Sequence, residues 1–502
     1  MKLFGGGKPD HPMSDLKQAR RLLEGLPTQD SFKAAEELAH WLESVSTFEG
    51  FKPEHRLQLV LLIDETAQAP VRKLTREYLA SVRPSKFQEN RLWGVIHEYW
   101  KQAGLAYMRV VDQVIAGIKG MDALKAQLPL LLARTLRSVA QRIKWQHMRY
   151  GPVDSSAWSV LNKVYAFAEL RKLVAAKVVV YPGVPGDSTP QLEYLKAVIF
   201  SASSPDSLLP LEVELAERMI GEYAPRVALA TSPGNENGYW IDLAQGMGPA
   251  RLARAPQAAP ATVRYFGASA ALAELEKLID TIQDSGAVPS SVNLGGVYDT
   301  EVLVGVLRHL ASYWSPEPPE RKHPRHNVKS RLSVAHGFDG VLGVLDTSVS
   351  LDFDNSAVES WIVENVSAGG FGAVIPQLKG DWLRVGAMLA LQPEGGSNWV
   401  LGLVRRVNKG ENHQARVGIQ TLSKSPMVSK FSLGVAAEQG IMLKGTEPDH
   451  GESSIALRSG VFAPTQNLEA DRSGKRHVYM PVGLVERGED YEIGRFREMI
   501  RE

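Results

Sequence analysis

The 502-residue sequence contains no cysteine, which excludes disulfides, thiolate–metal sites and cysteine nucleophiles together. It also lacks an excess of either charge. Its 57 Lys and Arg stand against 56 Asp and Glu, a formal net charge of +1, so no global field draws the chain to nucleic acid or to an anionic membrane, and any anion site has to be local. Long apolar runs are missing too. Stretches such as Leu59–Ile63 are far too short to span a bilayer, and the opening Met-Lys-Leu-Phe-Gly-Gly-Gly-Lys-Pro has no apolar core of a signal peptide. The expected location is cytoplasmic. No nucleophile elbow, zincin His-Glu-x-x-His, kinase set or phosphate-binding Gly-x-x-x-x-Gly-Lys is present; Gly5-Gly6-Gly7-Lys8 has the wrong spacing and runs into Pro9. These absences favour a receptor or effector over an enzyme and imply no cofactor.

Apolar residues make up 44% of the chain and charged residues 23%, the balance of a protein that folds around apolar cores. Its length calls for two to four of them. Over the first 200 residues Leu38, Trp41, Leu42 and Val45 recur at i, i+3, i+4, i+7, and Trp158, Leu161, Val164, Tyr165 and Phe167 trace another apolar face; residues 1–200 are read as a helical domain. Residues 201–315 are mixed α/β or a connector: Val227–Leu229, a Gly/Asn cluster at 234–238, Tyr239–Leu243, then a helical Ala268–Ile282. Ser315-Pro316-Glu317-Pro318-Pro319-Glu320 marks the clearest boundary, because its prolines fix φ and remove donors just where a helix ends near Trp314.

Beyond it the period becomes that of strands. Val349, Leu351 and Phe353 alternate with polar neighbours, as do Val417 and Ile419 with Arg416, Gly418 and Gln420; Trp399–Val404 is an apolar run preceded by the turn residues Gly395-Gly396-Ser397-Asn398. Residues 316–424 are read as an antiparallel barrel or sandwich. Residues 425–502 are read as a β extension with strands at Gly440–Lys444, Ser454–Leu457 and His477–Met480 and a short closing helix at Ile493–Ile500. The fold class is thus multidomain α+β.

The proline linker runs into Arg321-Lys322-His323-Pro324-Arg325-His326, with Arg331 beyond and no acidic residue between. Arginine offers a planar fork of donors for phosphate or for the O6/N7 edge of guanine. Spacing alone says little, since Arg72/Arg76, Arg472/Arg476 and Arg497/Arg501 repeat it. The second element is Asn365-Val366-Ser367-Ala368-Gly369-Gly370, read as a loop following a strand at Glu359–Val363. Its amide and hydroxyl can bond a base edge, and its glycine allows close approach. His323, His326 and His336 sit in or near the basic segment without a carboxylate to complete a metal set, and Asp352-Phe353-Asp354-Asn355 lacks the glycine and glutamate of a calcium loop.

Arg-x-x-x-Arg, then Asn-x-Ser-x-x-Gly, then Ala415-Arg416-Val417-Gly418-Ile419 resembles the PilZ family over roughly residues 318 to 424. The resemblance implies a six-stranded barrel that binds cyclic di-GMP on its outside. It implies that Arg321 and Arg325 hold phosphate and guanine, that Asn365 and Ser367 contact a guanine, and that Gly370 permits the turn. The interval from Arg325 to Asn365 is long for the family, pointing to lengthened strands or an extra hairpin near Thr347–Ser356. The expected function is a bacterial cyclic di-GMP receptor that passes ligand binding to the helical region and through it to a protein partner, with no nucleic acid and no membrane insertion. The alternative is a PilZ-like scaffold that holds protein partners without nucleotide, the C-terminal extension covering the ligand face.

Overall fold

The structure, a computed structural model, describes residues 10–27, 29–80, 85–118, 121–184, 186–256, 258–317, 323–346, 358–410, 412–433, 436–443, 452–472 and 474–501. The chain divides into two compact units. One runs to residue 319 without 206–209; the other comprises 206–209 and everything from 320 onward.

The first unit is built of helices α1 (Leu16–Glu24), α2 (Ser31–Thr47), α3 (Pro53–Tyr78), α4 (Lys86–Ile115), α5 (Leu128–His147), α6 (Ser155–Leu170), α7 (Pro190–Ala202) and α8 (Pro210–Tyr223). A three-stranded antiparallel sheet follows, order β2 (Ala250–Arg251), β1 (Tyr239–Asp242), β3 (Val263–Phe266), and then α9 (Leu272–Ser285) and α10 (Thr300–Trp314). Local chemistry sets the starts. Asp15, Asp30, Asp154, Thr189 and Asp299 each accept a bond from a first-turn amide, and Ser85 with Gln88 forms a reciprocal capping box at α4. The apolar faces legible in the sequence turn inward: Leu38, Leu42 and Val45 of α2 and Trp158, Leu161, Val164, Tyr165 and Phe167 of α6 are buried. Among the described residues no helix is long and apolar enough to cross a membrane.

The second unit holds two closed six-stranded antiparallel barrels. The first has the order β4 (His326–His336), β5 (Glu359–Ser367), β6 (Gly370–Ile375), β9 (Ala415–Ser423), β8 (Val400–Lys409), β7 (Met388–Pro393). Leu332, Val334, Trp361, Val363, Ala373, Val417 and Ile419 are buried, and in β9 buried Val417 and Ile419 alternate with the outward Arg416, Gly418 and Gln420, the two-residue period that half-buried strands require. Part of the long interval between Arg325 and Asn365 is a helix, α11 (Phe338–Leu345), which the sequence reading did not anticipate. The hairpin expected near Thr347–Ser356, the alternation at 349–353 and the acidic run at 352–355 lie outside the described residues.

The C-terminal extension closes into a barrel of its own, order β10 (Met427–Leu433), β11 (Ala436–Leu443), β12 (Glu452–Arg458), β15 (Tyr491–Arg501), β14 (Lys475–Arg487), β13 (Leu468–Arg472). The closing helix expected at Ile493–Ile500 is instead part of β15, which pairs with β14 from Arg476↔Arg501 to Arg487↔Glu492 and with β12 on its other edge. Cross-strand bonds along both edges override a spacing of Ile493, Phe496 and Ile500 that suits a helix equally well. The barrels share one core. Ala335, Phe338, Val341, Leu342, Met388 and Leu403 from the first pack with Ile441, Ala456, Tyr491 and Ile493 from the second. Polar ties surround that core: Tyr491 donates to the Gly386 carbonyl at 2.8 Å, Phe338 N to Asp490 at 2.6 Å, and Arg405 forks onto Glu486 at 2.5 and 2.7 Å.

Candidate functional site

The described candidate residues meet at one end of the first barrel. Strand β5 runs on through Asn365 to Ser367, so these two stand on a strand and not in the loop expected from the sequence; only Ala368 and Gly369 turn the chain before Ser367↔Gly370 closes the hairpin. A register shift between Val363 and Asn365 lets the strand carry the motif. On the other edge of β5, His326 pairs with Val366 and Asn327 with Asn365. Arg325, exposed and one residue before β4, therefore falls at the same end as the hairpin. His323 lies over the turn, since a Cβ on Gly369 would meet its ring at 3.0 Å. Arg321 lies outside the described residues.

Gly370 is needed for backbone reasons. Its φ of 155° is one that other residues avoid, and a side chain would collide with the Ile419 carbonyl of β9. Gly372 faces Asn365 in register, and its missing side chain makes room for the Asn365 carboxamide, whose atoms would lie 2.6 to 2.9 Å from a Cβ there. Among the described residues the Asn365 Oδ1 so placed is buried and accepts no hydrogen bond, an acceptor whose burial costs free energy until a donor reaches it. Ser367 Oγ makes one long bond, to the Gly370 carbonyl at 3.4 Å. Beside the hairpin opens a cleft of ≈ 500 Å³ lined by Ser367, Ala368, Phe371, Asn398, Thr421 and Lys424 among others. His336 belongs elsewhere: it stacks on Trp382 at 3.7 Å, and burial lowers its pKa.

The sequence reading missed a second polar concentration, buried inside the helical unit. Asp64 of α3, wholly buried, accepts from Tyr99 at 2.5 Å, Tyr107 at 2.6 Å, Arg134 at 2.8 Å and Gln68 at 2.9 Å, with Tyr181 at 3.2 Å. Arg134 also reaches Glu65 at 2.8 Å and lies over the Tyr181 ring at 4.0 Å. Burial, and then the Asp64 charge, hold the hydroxyls of Tyr99, Tyr107 and Tyr181 well above the usual tyrosine range. Burial opposes the Arg134 guanidinium, yet Tyr107 and Asp64 raise its pKa overall. Tyr99, Tyr107, Arg134 and Tyr181 lie 35 to 117 residues from Asp64 in sequence, so no motif could have revealed the set. Its chemistry is that of a satisfied structural network.

Fold and site together define a two-unit α+β protein in which an all-α-rich unit precedes paired β-barrels, with a polar, glycine-lined hairpin exposed on the first barrel. Residues 17–234 match the family model described as "Cyclic-di-GMP receptor FimW, N-terminal domain". The match runs from α1 past α8, takes in the Asp64 network, and stops short of both barrels. A comparison with curated proteins finds none that matches the chain.

Proposed function

We propose that this protein is a bacterial cytoplasmic receptor for cyclic di-GMP, with the nucleotide held by a PilZ-type site on the first barrel and its binding passed to the helical unit and a protein partner. One observation carries the reading. The residues resembling the PilZ motifs lie in the barrel, and the match to a cyclic di-GMP receptor lies in the helices; two features that share no residue point to one ligand. The chemistry fits. Arg321 and Arg325 supply planar cationic forks for phosphates and guanine edges, Asn365 offers an acceptor that has no donor among the described residues, and Gly370 keeps the hairpin tight against β9. A receptor role asks for no catalytic group. Transmission requires only that the ligand favour one arrangement of the arginine-bearing linker, and the response is bounded by the difference in its affinity for the alternatives.

The test is a thermal-shift series on the full chain with cyclic di-GMP, GTP and GMP, alongside the Arg321→Ala/Arg325→Ala double variant. Stabilisation by cyclic di-GMP alone, lost in the variant, is the expected result. Equal shifts with all three nucleotides, or a shift that survives the double substitution, would remove the site assignment. A chain that responds to no nucleotide would turn the reading to the scaffold alternative.

A further inference from the structure

Opposite charges facing each other across paired strands support the pairing, and like charges directly opposite work against it. The β13–β14 hairpin shows both on neighbouring rungs. Asp471 faces Arg476, and one rung nearer the turn Arg472 faces Lys475. Alternation puts this second pair on the inward side of the barrel. Leu468 and Ala470, which share a face of β13 with Arg472, are buried in the core of the second barrel and face Tyr479 and His477 in register. Two cations therefore stand together at one end of that barrel. This end lies away from the core shared with the first barrel, because β15 runs from Tyr491 and Ile493 in that core to Ile500, which faces His477 here, a span of about 20 Å.

Arg472 is also short of acceptors. Among the described residues of the second unit, Arg384, Arg405 and Arg472 are the half-buried arginines. Arg384 pairs with Glu489 at 2.9 Å and Arg405 with Glu486 at 2.5 Å. Arg472 has no carboxylate among the described residues. Its Nη1 donates to the Met442 thioether at 3.1 Å and to the Tyr479 hydroxyl at 3.5 Å, both weak ties for a charged donor, and its Nε and Nη2 meet no acceptor among the described residues. The carboxylate one hydroxyl away is already taken: Glu498 accepts from Tyr479 at 3.0 Å and from Ser453 at 3.3 Å, and bonds the His477 ring at 2.7 Å.

We propose that Arg472 and Lys475 form an anion site at this end of the second barrel, one that takes the phosphate or carboxylate group of a small ligand. An oxyanion between them supplies the acceptor that the Arg472 fork lacks and replaces the repulsion of two facing cations by two attractions. Glu498 keeps its own donors throughout. The site shares no residue with the hairpin of the first barrel, so its occupancy does not depend on the arginines there.

Phenylglyoxal, which reacts with arginine side chains, tests the site on the full chain, the modified peptides being located by mass spectrometry in chloride, inorganic phosphate and succinate at equal ionic strength. Arg497, exposed on β15 where it pairs with Met480, is the internal control. With phosphate or succinate at about ten times its Kd, modification of Arg472 is expected to slow about tenfold while Arg497 keeps its rate. Protection by phosphate alone marks a phosphorylated ligand, protection by succinate alone a carboxylate, and protection by both an oxyanion site open to either. Lys475→Ala, at an exposed position where substitution leaves the fold intact, is expected to weaken the protection severalfold, and Arg321→Ala/Arg325→Ala to leave it unchanged. Equal Arg472 rates in all three salts, equal slowing at Arg497, parent-like protection in Lys475→Ala, or loss of protection in Arg321→Ala/Arg325→Ala would overturn the proposal.

Discussion

Replacing Asp64 by alanine deprives Tyr99, Tyr107 and Arg134 of a common acceptor in a place where Asp64 is 0% and Arg134 1% exposed. Breaking a buried ion pair from one side costs about 3 to 5 kcal/mol, because the surviving charge keeps its desolvation penalty without its partner. Glu65, half in solvent, and the Tyr181 ring remain to Arg134, so we expect the lower end, about 3 kcal/mol. Circular dichroism at 222 nm during urea unfolding reads this change in the helical unit, since the described residues of the second unit contain one short α-helix, α11. A double variant separates charge loss from simple truncation. Asp64→Leu with Arg134→Met removes the orphaned charge and should recover part of the loss, the hydroxyls of Tyr99 and Tyr107 remaining without their acceptor. A single variant that unfolds within about 0.5 kcal/mol of the parent, the range of ordinary surface substitutions, would refute the account of the network.

Other consequences can be read from the same structure. The pKa values of Tyr99, Tyr107 and Tyr181 lie well above 10.0 in the folded state, so the unfolded chain releases their protons first; helical stability should hold up to about pH 10 and fall as pH rises beyond it, seen as a lower urea midpoint. His97, stacked on Trp93 at 4.6 Å, has its pKa pushed down to about 4 by burial and then by Arg142. Stability contributed there is present above pH 6.5 and lost as pH falls toward 4, by up to roughly 3 kcal/mol, and His97→Gln should flatten that part of the profile in urea titrations. Phe338, 1% exposed in the core shared by the barrels, should cost about 3 to 5 kcal/mol on replacement by alanine. Loss of near-ultraviolet ellipticity from both barrels in one transition would mark their common core; a variant in which the second barrel melts separately at its parent temperature would contradict it.

The helical faces were legible because burial repeats every three to four residues: Leu38, Leu42 and Val45 turn inward as their spacing demands. Val417 and Ile419 were legible by the two-residue period, and the prolines after Trp314 by their missing donors. The strand nature of Ile493–Ile500 was not. A local pattern cannot report the pairing with β12, about 40 residues earlier, and with β14, 7 to 23 residues earlier, whose backbone groups decide it. The hairpin motif was visible in Asn365, Ser367 and Gly370, but its placement on the strand depends on a register shift that only the pairing reveals. The partnership of Asn365 with Gly372 and the gathering of Tyr99, Tyr107, Arg134 and Tyr181 on Asp64 join residues brought together by folding, and neither has a signature in the order of the chain.

Equilibrium dialysis of the full chain against cyclic di-GMP, in the presence and absence of excess GTP, puts the receptor role to the test. Saturable binding is expected that GTP does not displace and that Asn365→Ala weakens by about tenfold or more. Binding that GTP removes, or no binding at concentrations where the protein remains folded, would contradict it.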